Sequence, residues 1–493
     1  MAQPLPPLRP DTASRLLIDG TLIPGSGGTF DVLNPATEEV LGRAAEATAA
    51  DMDQAIAAAR RAFDATDWSR DHAFRARCLR QLRDALLLHA EELRELTVAE
   101  VGCPTFLTHG PQLIGPITDL GYFADLAENH DWTVDLGEAS PMGIKNRREL
   151  RSEAVGVVGA ITPWNFPHQI NFAKIGPALA AGCTVVLKPA PDTPWCAALV
   201  GRVIAEETDF PPGVVNIVTS TDHGLGEQLC TDPRVDLISF TGSTATGRKV
   251  MAAAAPTLKK VFLELGGKSA FIVLDDADLG AACSMAAFSV VTHAGQGCAI
   301  TTRLVVPRAQ FDDAVAATRN ALSGLAADDP TKAGTVCGPL ISARQRERVE
   351  GYLRLAVEEG GTIEIGGGRP ADKEKGFYIE PTLISGVDNS SRVAQEEIFG
   401  PVLVILPHDG DQDAIDIAND SPYGLSGAVW GTDPGRIDAV VNGVRTGTMS
   451  VNGGIWYSAD VPFGGYKQSG IGREMGEAGF SEYLEIKSVA RPV

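Results

Sequence analysis

Two short segments hold the residue types from which covalent catalysis is built. Gly295-Gln-Gly-Cys298 offers a thiol framed by glycines, and Leu263-Glu-Leu-Gly-Gly-Lys268 offers a carboxylate followed at once by two glycines. A thiol that attacks a carbonyl needs open space in front of it, and glycine neighbours provide that space. The carboxylate suits a base that later activates water. Most cysteines in a chain of this kind fill core. Here Gly295 and Gly297 would waste packing and Gln296 is a poor core residue, which tilts Cys298 toward chemistry. A free thiol titrates near pH ~8.5, so the site must lower that value or take the proton on demand. Glu264 closes the apolar run Val261-Phe-Leu263, where the ordinary reading is a solvated acid at a strand end.

Other motifs are weaker alone. Pro163-Trp-Asn-Phe-Pro167 places Asn165 between aromatic residues and prolines, where its amide suits a turn. Phe240-Thr-Gly-Ser-Thr-Ala-Thr-Gly247 follows a strand pattern and opens a helix, a position that favours anions. It lacks the Lys-Ser/Thr of a phosphate-binding P-loop, which counts against an ATPase. The eight histidines show no paired spacing suited to zinc, so no metal site is expected. None has a context that nominates it as the base of a cysteine esterase or protease.

The elements that must position these residues are legible as alternation. Leu16-Leu-Ile-Asp-Gly-Thr-Leu-Ile23 predicts a hairpin turning at Asp19-Gly20. Apolar residues at 79, 82, 86, 90 and 93 predict a helix between Cys78 and Leu96. Short apolar runs at 155–161, 184–187, 214–218 and 237–240, with helical segments between them, predict a parallel sheet covered on both faces. A second α/β series runs from Ser269-Ala-Phe-Ile-Val-Leu274 past Val402-Leu-Val-Ile-Leu406, with loops at Gly360-Gly361 and 366–368. Residues 131–151 and the C-terminal 483–489 read as exposed strand or tail. With 493 residues, two or three domains are expected. The net charge of −21 argues against nucleic acid and anionic membrane, and is otherwise the mark of a soluble chain. No run of about 18 uncharged apolar residues exists, and the proline-rich residues 1–10 lack a signal-peptide core. The eight scattered cysteines contain no Cys-x-x-Cys, which predicts reduced thiols and a cytoplasmic setting.

Taken together and in this order, the motifs resemble those of the aldehyde dehydrogenase superfamily over nearly the whole chain. The resemblance implies two Rossmann-like parallel-sheet domains and a small β extension. Residues 1–130 and 150–264 would form the cofactor-binding domain, 265–468 the catalytic domain, and 131–149 with 475–493 the oligomerisation extension of a homodimer or homotetramer. It implies oxidation of a small-molecule aldehyde to the acid with NAD, Cys298 as nucleophile and Glu264 as the activator of the hydrolytic water. Asn165 and the Cys298 N–H would hold the oxyanion, and Lys174 and Glu474 would relay protons. The cofactor would meet Thr162, Trp164, Lys188 at the adenosine ribose, and Gly242, Ser243 and Thr246 at the pyrophosphate. It would also meet Leu265 and, at the nicotinamide end, Glu397 and Phe399. Phe166, Trp456, Tyr457 and Phe463 fall where the family lines its aldehyde tunnel. Aromatic walls without an evident arginine favour an apolar or aromatic aldehyde over a semialdehyde bearing a carboxylate.

The departures from the family pattern concern specificity. Pro191 stands where NAD-preferring members carry a glutamate that binds the ribose hydroxyls and repels a 2′-phosphate, so NADP stays open. Asp192 alongside offers a partial substitute. His293 takes the place of a usual asparagine, and Gly297 that of a residue with a side chain. The rival readings are a CoA-acylating aldehyde dehydrogenase, disfavoured by the presence of Glu264, and a non-catalytic binding or structural protein on the same fold.

Overall fold

In the computed structural model, residues 15–493 are described; the proline-rich start of the chain lies outside them. Three sheets organise the chain. The first has eight strands in the order Thr21–Ile23, Leu16–Ile18, Val215–Ile217, Thr184–Lys188, Val157–Ile161, Leu237–Thr241, Lys260–Glu264 and Gly470–Ile471. Its five central strands are parallel, and only the outer pairings are antiparallel. The hairpin pairs Ile18 with Thr21 across Asp19-Gly20, as its sequence predicts.

The chain order reverses between Val157–Ile161 and Leu237–Thr241. Successive strands from 157 build outward on one side, and later strands build on the other. Such a reversal parts the loops at the carboxyl ends of the two strands and leaves a crevice between them. The two loops are Thr162–Phe166 and Gly242–Ser243. Both motifs singled out in the sequence therefore lie on the rim of one crevice.

The second sheet has seven strands, ordered Thr362–Ile365, Thr382–Ser385, Val402–His408, Thr301–Pro307, Ser269–Val273, Ser426–Trp430 and Thr448–Val451. All its pairings are parallel except that of Thr362–Ile365 with Thr382–Ser385. Each sheet carries its own apolar clusters, with Val158, Val185 and Leu187 in one and Val306, Val402 and Val404 in another. The loop positions 360 and 366 have φ of +89° and +76°, which explains glycine at both. The third sheet pairs Leu484–Pro492 with Asn146–Ala154, and Asn146–Ala154 with Thr133–Ala139, all antiparallel. The segments that read as exposed strand or tail are thus one three-stranded ribbon.

One expectation is corrected. The single helix between Cys78 and Leu96 is two helices, His72–Leu88 and Ala90–Val101. His89 both ends the first and starts the second, and its imidazole bonds Glu207 at 2.8 Å and Glu92 at 3.2 Å. Only one residue is lost to the break, so the apolar phase runs on. Leu79, Leu82, Leu86 and Leu93 all stay buried on the same side. Periodicity alone could not reveal the corner.

A buried carboxylate ties this helical layer to the first sheet. Glu100 accepts the N–H groups of Trp195 (2.7 Å) and Cys196 (2.9 Å), which open the helix Pro194–Glu207. Burial pushes its pKa up to about 7 against the pull of those two donors and the Cys196 side chain. Glu100→Ala strands two buried donors, and a loss of about 2–3 kcal/mol in stability is expected. Denaturant unfolding followed by circular dichroism checks it, with an unchanged midpoint as the contrary result.

Candidate active site

The strand Lys260–Glu264 is the last parallel strand of the first sheet and Ser269–Val273 is the first strand of the second along the chain, so the glycine pair at 266–267 lies where the chain passes from one sheet to the other. Three segments converge on it. Gly267 donates its N–H to Glu397 Oε1 at 2.9 Å. Ser469 Oγ donates to Gly266 O at 2.7 Å, while Leu265 N–H donates to Ser469 O at 2.9 Å. A Cβ on Gly267 would stand 2.7 Å from the Cys298 carbonyl oxygen, and one on Gly266 would stand 2.6 Å from Glu397 Oε2. Side chains at either position would push the thiol segment and Glu397 away.

A cleft of about 220 Å³ opens at this junction. It is lined by Trp164, Asn165, Gly242, Ser243, Leu265, Cys298, Glu397 and Phe399, so eight of the residues predicted from sequence share one cavity. The cleft also takes Gln345, Arg348 and Ile170, which the sequence reading missed. Gln345 and Arg348 stand three apart on the helix Ala343–Glu358 and donate to the carbonyls of Phe399 (2.7 Å) and Glu397 (2.5 Å). No glycine or acid marks them in the sequence, and only their spacing hints at a shared face.

Among the described residues Cys298 is the one cysteine not fully buried, and all eight are free thiols. Burial pushes its pKa up, and the carboxylates of Glu264, Glu397 and Glu474 push it further, against the Ala299 N–H. Cys298 at rest is accordingly a protonated thiol. Its loop differs from the expectation in two ways. Gln296 is fully buried, yet it is satisfied by backbone: it donates to His293 O and Pro339 O and accepts from Ile341 N–H at 2.9 Å. Gly295 serves backbone geometry rather than space before the thiol, because φ is +71° and a Cβ would strike the Gly400 carbonyl.

Asn165 is 2 % exposed and donates one amide N–H to Gln296 O at 2.8 Å, leaving the second N–H uncommitted. Its own carbonyl accepts from Gln112 (2.8 Å) and bonds His293 Nε2 (2.8 Å). Burial lowers the His293 pKa to about 4, so the ring is neutral and Nε2 carries the proton toward Asn165 O. The unusual His293 thus braces Asn165 and is not a base for Cys298.

Glu264 is 1 % exposed, and neither carboxylate oxygen has a partner among the described residues. Burial raises its pKa, the Glu474 charge raises it further, and Lys174 and Arg473 oppose both. The solvated strand-end reading is therefore excluded. Behind it Lys174 Nζ donates to Glu474 Oε1 at 2.6 Å and to Ser239 Oγ at 3.1 Å, with both charged side chains buried. Lys174 comes from the helix Pro167–Ala181, and Glu474 is held by a backbone bridge to Phe463.

The remaining predicted residues lie around this centre. Trp164 meets Phe399 edge to face with ring centroids 5.5 Å apart. Ser243 caps the helix Thr244–Ala254 by accepting the Thr246 N–H at 3.2 Å, so its backbone end of positive character faces the cleft. Thr162 donates its hydroxyl to Asn171 at 2.7 Å. Lys188 sits apart from the cleft, with Nζ donating to Ser220 O at 3.3 Å. Phe166 packs on His293, Trp456 stacks on Phe463 at 5.5 Å, and the Gln169 amide donates to the Tyr457 hydroxyl. None of Trp456, Tyr457 and Phe463 lines the cleft itself. Among the described residues no cluster of His, Cys, Asp or Glu suits a metal, and no helix is long and apolar enough to cross a membrane.

A half-buried thiol and a free amide donor share one cleft, a buried unpaired carboxylate lies close enough for its charge to act on the thiol, and a helix N-terminus stands at the sheet's reversal point; these are the parts of a covalent dehydrogenase. The aldehyde dehydrogenase family model matches residues 22–489, and the chain belongs to that family. It is 41% identical over 471 residues to a geranial dehydrogenase of Castellaniella defragrans, covering 95% of this chain and 96% of the relative. It is 42% identical over 481 residues to a 3-succinoylsemialdehyde-pyridine dehydrogenase of a Pseudomonas species, covering 96% and 97%. An aldehyde dehydrogenase of Mycobacterium tuberculosis, solved with NAD+, superposes with a TM-score of 0.93 at 43% identity over 97% of this chain and 98% of that one. The chain is an NAD(P)-dependent aldehyde dehydrogenase, and oxidation of an aldehyde to the acid is its reaction class.

The raised thiol pKa has a readable consequence. Alkylation of Cys298 by iodoacetamide in the cofactor-free enzyme should be slower at pH 8 than that of a free thiol, and should still be rising above pH 9. The thiolate is the reacting form, so a plateau below pH 8 in the mass-spectrometric rate profile would contradict that protonation state.

Proposed function

We propose that Cys298 passes its proton to the unpartnered Glu264 carboxylate and attacks the aldehyde carbon, while Asn165 and the Cys298 N–H hold the resulting oxyanion. The observation that carries this reading is the uncommitted amide N–H of Asn165 on the wall of the same cleft as the thiol. The cleft also fits the dinucleotide: a helix N-terminus at Ser243 suits the pyrophosphate, and the Gly267-anchored carboxylate of Glu397 suits ribose hydroxyls. A bound dinucleotide would supply the hydride acceptor, and loss of that hydride would leave the thiohemiacetal on Cys298 as a thioester. Trp164, Gly242, Thr246, Leu265 and Phe399 complete the cofactor's surroundings, with Thr162 and Lys188 toward the adenosine end.

Glu264 then takes a proton from water, which attacks the thioester and releases the acid and the Cys298 thiol. Burial without a partner fits this role, since a raised pKa makes a carboxylate a stronger base. Lys174 and Glu474 pass the proton outward from Glu264. Their 2.6 Å contact and burial support a relay over a surface ion pair.

We divide the chain into a cofactor-binding part (1–130 and 150–264), a catalytic part (265–468) and an extension (131–149 and 475–493), a division supported by the presence of two parallel sheets and a separate antiparallel ribbon. The extension exposes Val134, Leu136 and Ile486, and its edge strand Thr133–Ala139 lacks a neighbour on one side. Such an edge suits pairing with a second copy, so the enzyme is a homodimer or homotetramer. We place it in the cytoplasm, in keeping with its eight free thiols. Phe166, Trp456, Tyr457 and Phe463 give the aldehyde an aromatic approach that favours an apolar or aromatic tail.

Two experiments test this reading. Cys298→Ala should abolish turnover of every aldehyde, and Asn165→Ala should cost roughly 100- to 1000-fold in kcat. Glu264→Gln should retain a first burst of NADH and lose steady-state acid release, with acyl-enzyme visible by mass spectrometry. Full turnover in Glu264→Gln, or dependence of wild type on CoA, would reject the hydrolytic route. Separately, kcat/KM for benzaldehyde should exceed that for succinic semialdehyde, and the opposite order would reject the aromatic approach.

A further inference from the structure

Pro191 leaves the choice of dinucleotide open in the sequence, but the fold brings two other acids to the ribose-side lysine. Lys188 ends its strand, is 4 % exposed, and donates to the Ser220 carbonyl at 3.3 Å. The Ser220 hydroxyl in turn donates to the Glu46 carboxylate. Thr221 adds its N–H (3.0 and 3.1 Å to the two oxygens) and its hydroxyl (2.9 Å) to the same carboxylate. Glu46 follows the strand Val40–Ala45, 142 residues from the lysine it faces (188 − 46). It is held in place by the loop it buttresses.

Asp222 is the second acid. It follows the strand Val215–Ile217, whose Ile217 pairs with Leu187 beside Lys188. Its N–H donates to Ser220 Oγ at 3.0 Å and its Oδ1 accepts from Gly224 N–H at 2.7 Å. Its Oδ2 has no partner among the described residues and is free to accept a hydroxyl. Both carboxylates support the Lys188 ammonium, whose pKa burial lowers to about 8. Asp192, next to Pro191, is a poorer substitute, because burial raises its pKa and its charge is offset by Arg344 and His223.

We propose that Asp222, backed by the buttressed carboxylate of Glu46, supplies the ribose-reading acid that residue 191 lacks and makes this enzyme select NAD over NADP. One ammonium stands here against two carboxylates. A 2′-phosphate would add a charge of about −1.5 to −2 to a site already net negative, whereas a 2′-hydroxyl finds Lys188 as donor and Asp222 as acceptor. The inference rests on the reading of Lys188 as the contact of the adenosine ribose.

The test measures dissociation constants of NAD+ and NADP+ by quenching of tryptophan fluorescence, beside kcat/KM for both, in the wild type and three variants. NAD+ should bind at least about tenfold more tightly at low salt, and the gap should narrow as salt rises, because Asp222 is exposed and screened. Asp222→Asn should shrink the ratio by about three- to tenfold, mainly by improving NADP+ binding. Glu46→Gln should act in the same direction, with thermal unfolding confirming that its loop survives. Pro191→Ala should leave the ratio unchanged. Equal binding of the two dinucleotides by wild type, or an unchanged ratio in Asp222→Asn, would overturn the proposal. If wild-type NADP+ binding equals that of NAD+ and falls in Arg344→Ala, the 2′-phosphate sits on Arg344 and the proposal also fails. A Lys188→Met variant separates the two levels: unchanged NAD+ affinity in it would remove the ribose reading itself.

Discussion

The structure hinges on a stretch of backbone that carries no side chains. At Gly266-Gly267 the two large sheets join, and the Cys298 carbonyl and the Glu397 carboxylate both come within about a side chain's first atom of that backbone. Close approach to bare backbone is available only to glycine. The Cys298 segment, the carboxylate at residue 397 and the end of the strand bearing Glu264 are held in common register by this contact, with Ser469 tying the far side. A small shift there would move all of them at once, and misplacements on the scale of 1 Å are costly to catalysis.

Around that junction the electrostatics are arranged to hold protons until they are needed. Desolvation, and after it the charges of three carboxylates, push the pKa of the Cys298 thiol up, so the free enzyme does not present a reactive thiolate. Glu264 is itself stripped of partners and raised by burial, while the buried Lys174 is spent on Glu474. Perturbed titratable groups packed close together are a usual mark of a functional site. The uncharged His293, bonded to the carbonyl of Asn165, contributes rigidity without a titrating charge.

Specificity lies further out and on different elements. The proposed adenosine contacts stand on loops that follow adjacent parallel strands, with Glu46 brought in from the end of the strand Val40–Ala45. The proposed aldehyde approach draws its aromatic residues from the helix start at Phe166 and from the loop carrying Trp456, Tyr457 and Phe463. The two ends share no element, so the fold can vary one without disturbing the other.

The sequence by itself determined the alternation of strands and helices, the hairpin at Asp19-Gly20, and which side chains to look for at the junction of the two sheets. Apolar runs and glycine pairs are local signals, and Cys298, Glu264 and Asn165 each stand inside one. It misjudged what depends on contacts across the chain. The corner at His89 is invisible because a one-residue break keeps the helical phase. Gln296 reads as a poor core residue until three backbone partners from distant segments are seen around it. Gly295 reads as space for a substrate until the Gly400 carbonyl is found against it. Arg348 and Gln345 carry no local mark at all. Only the tertiary structure decided that Glu264 is buried and unpaired, that Lys174 meets Glu474 across 300 residues, and that Glu46 and Asp222 converge on Lys188. Burial and charge are properties of neighbourhoods, and a neighbourhood exists only once the chain has folded.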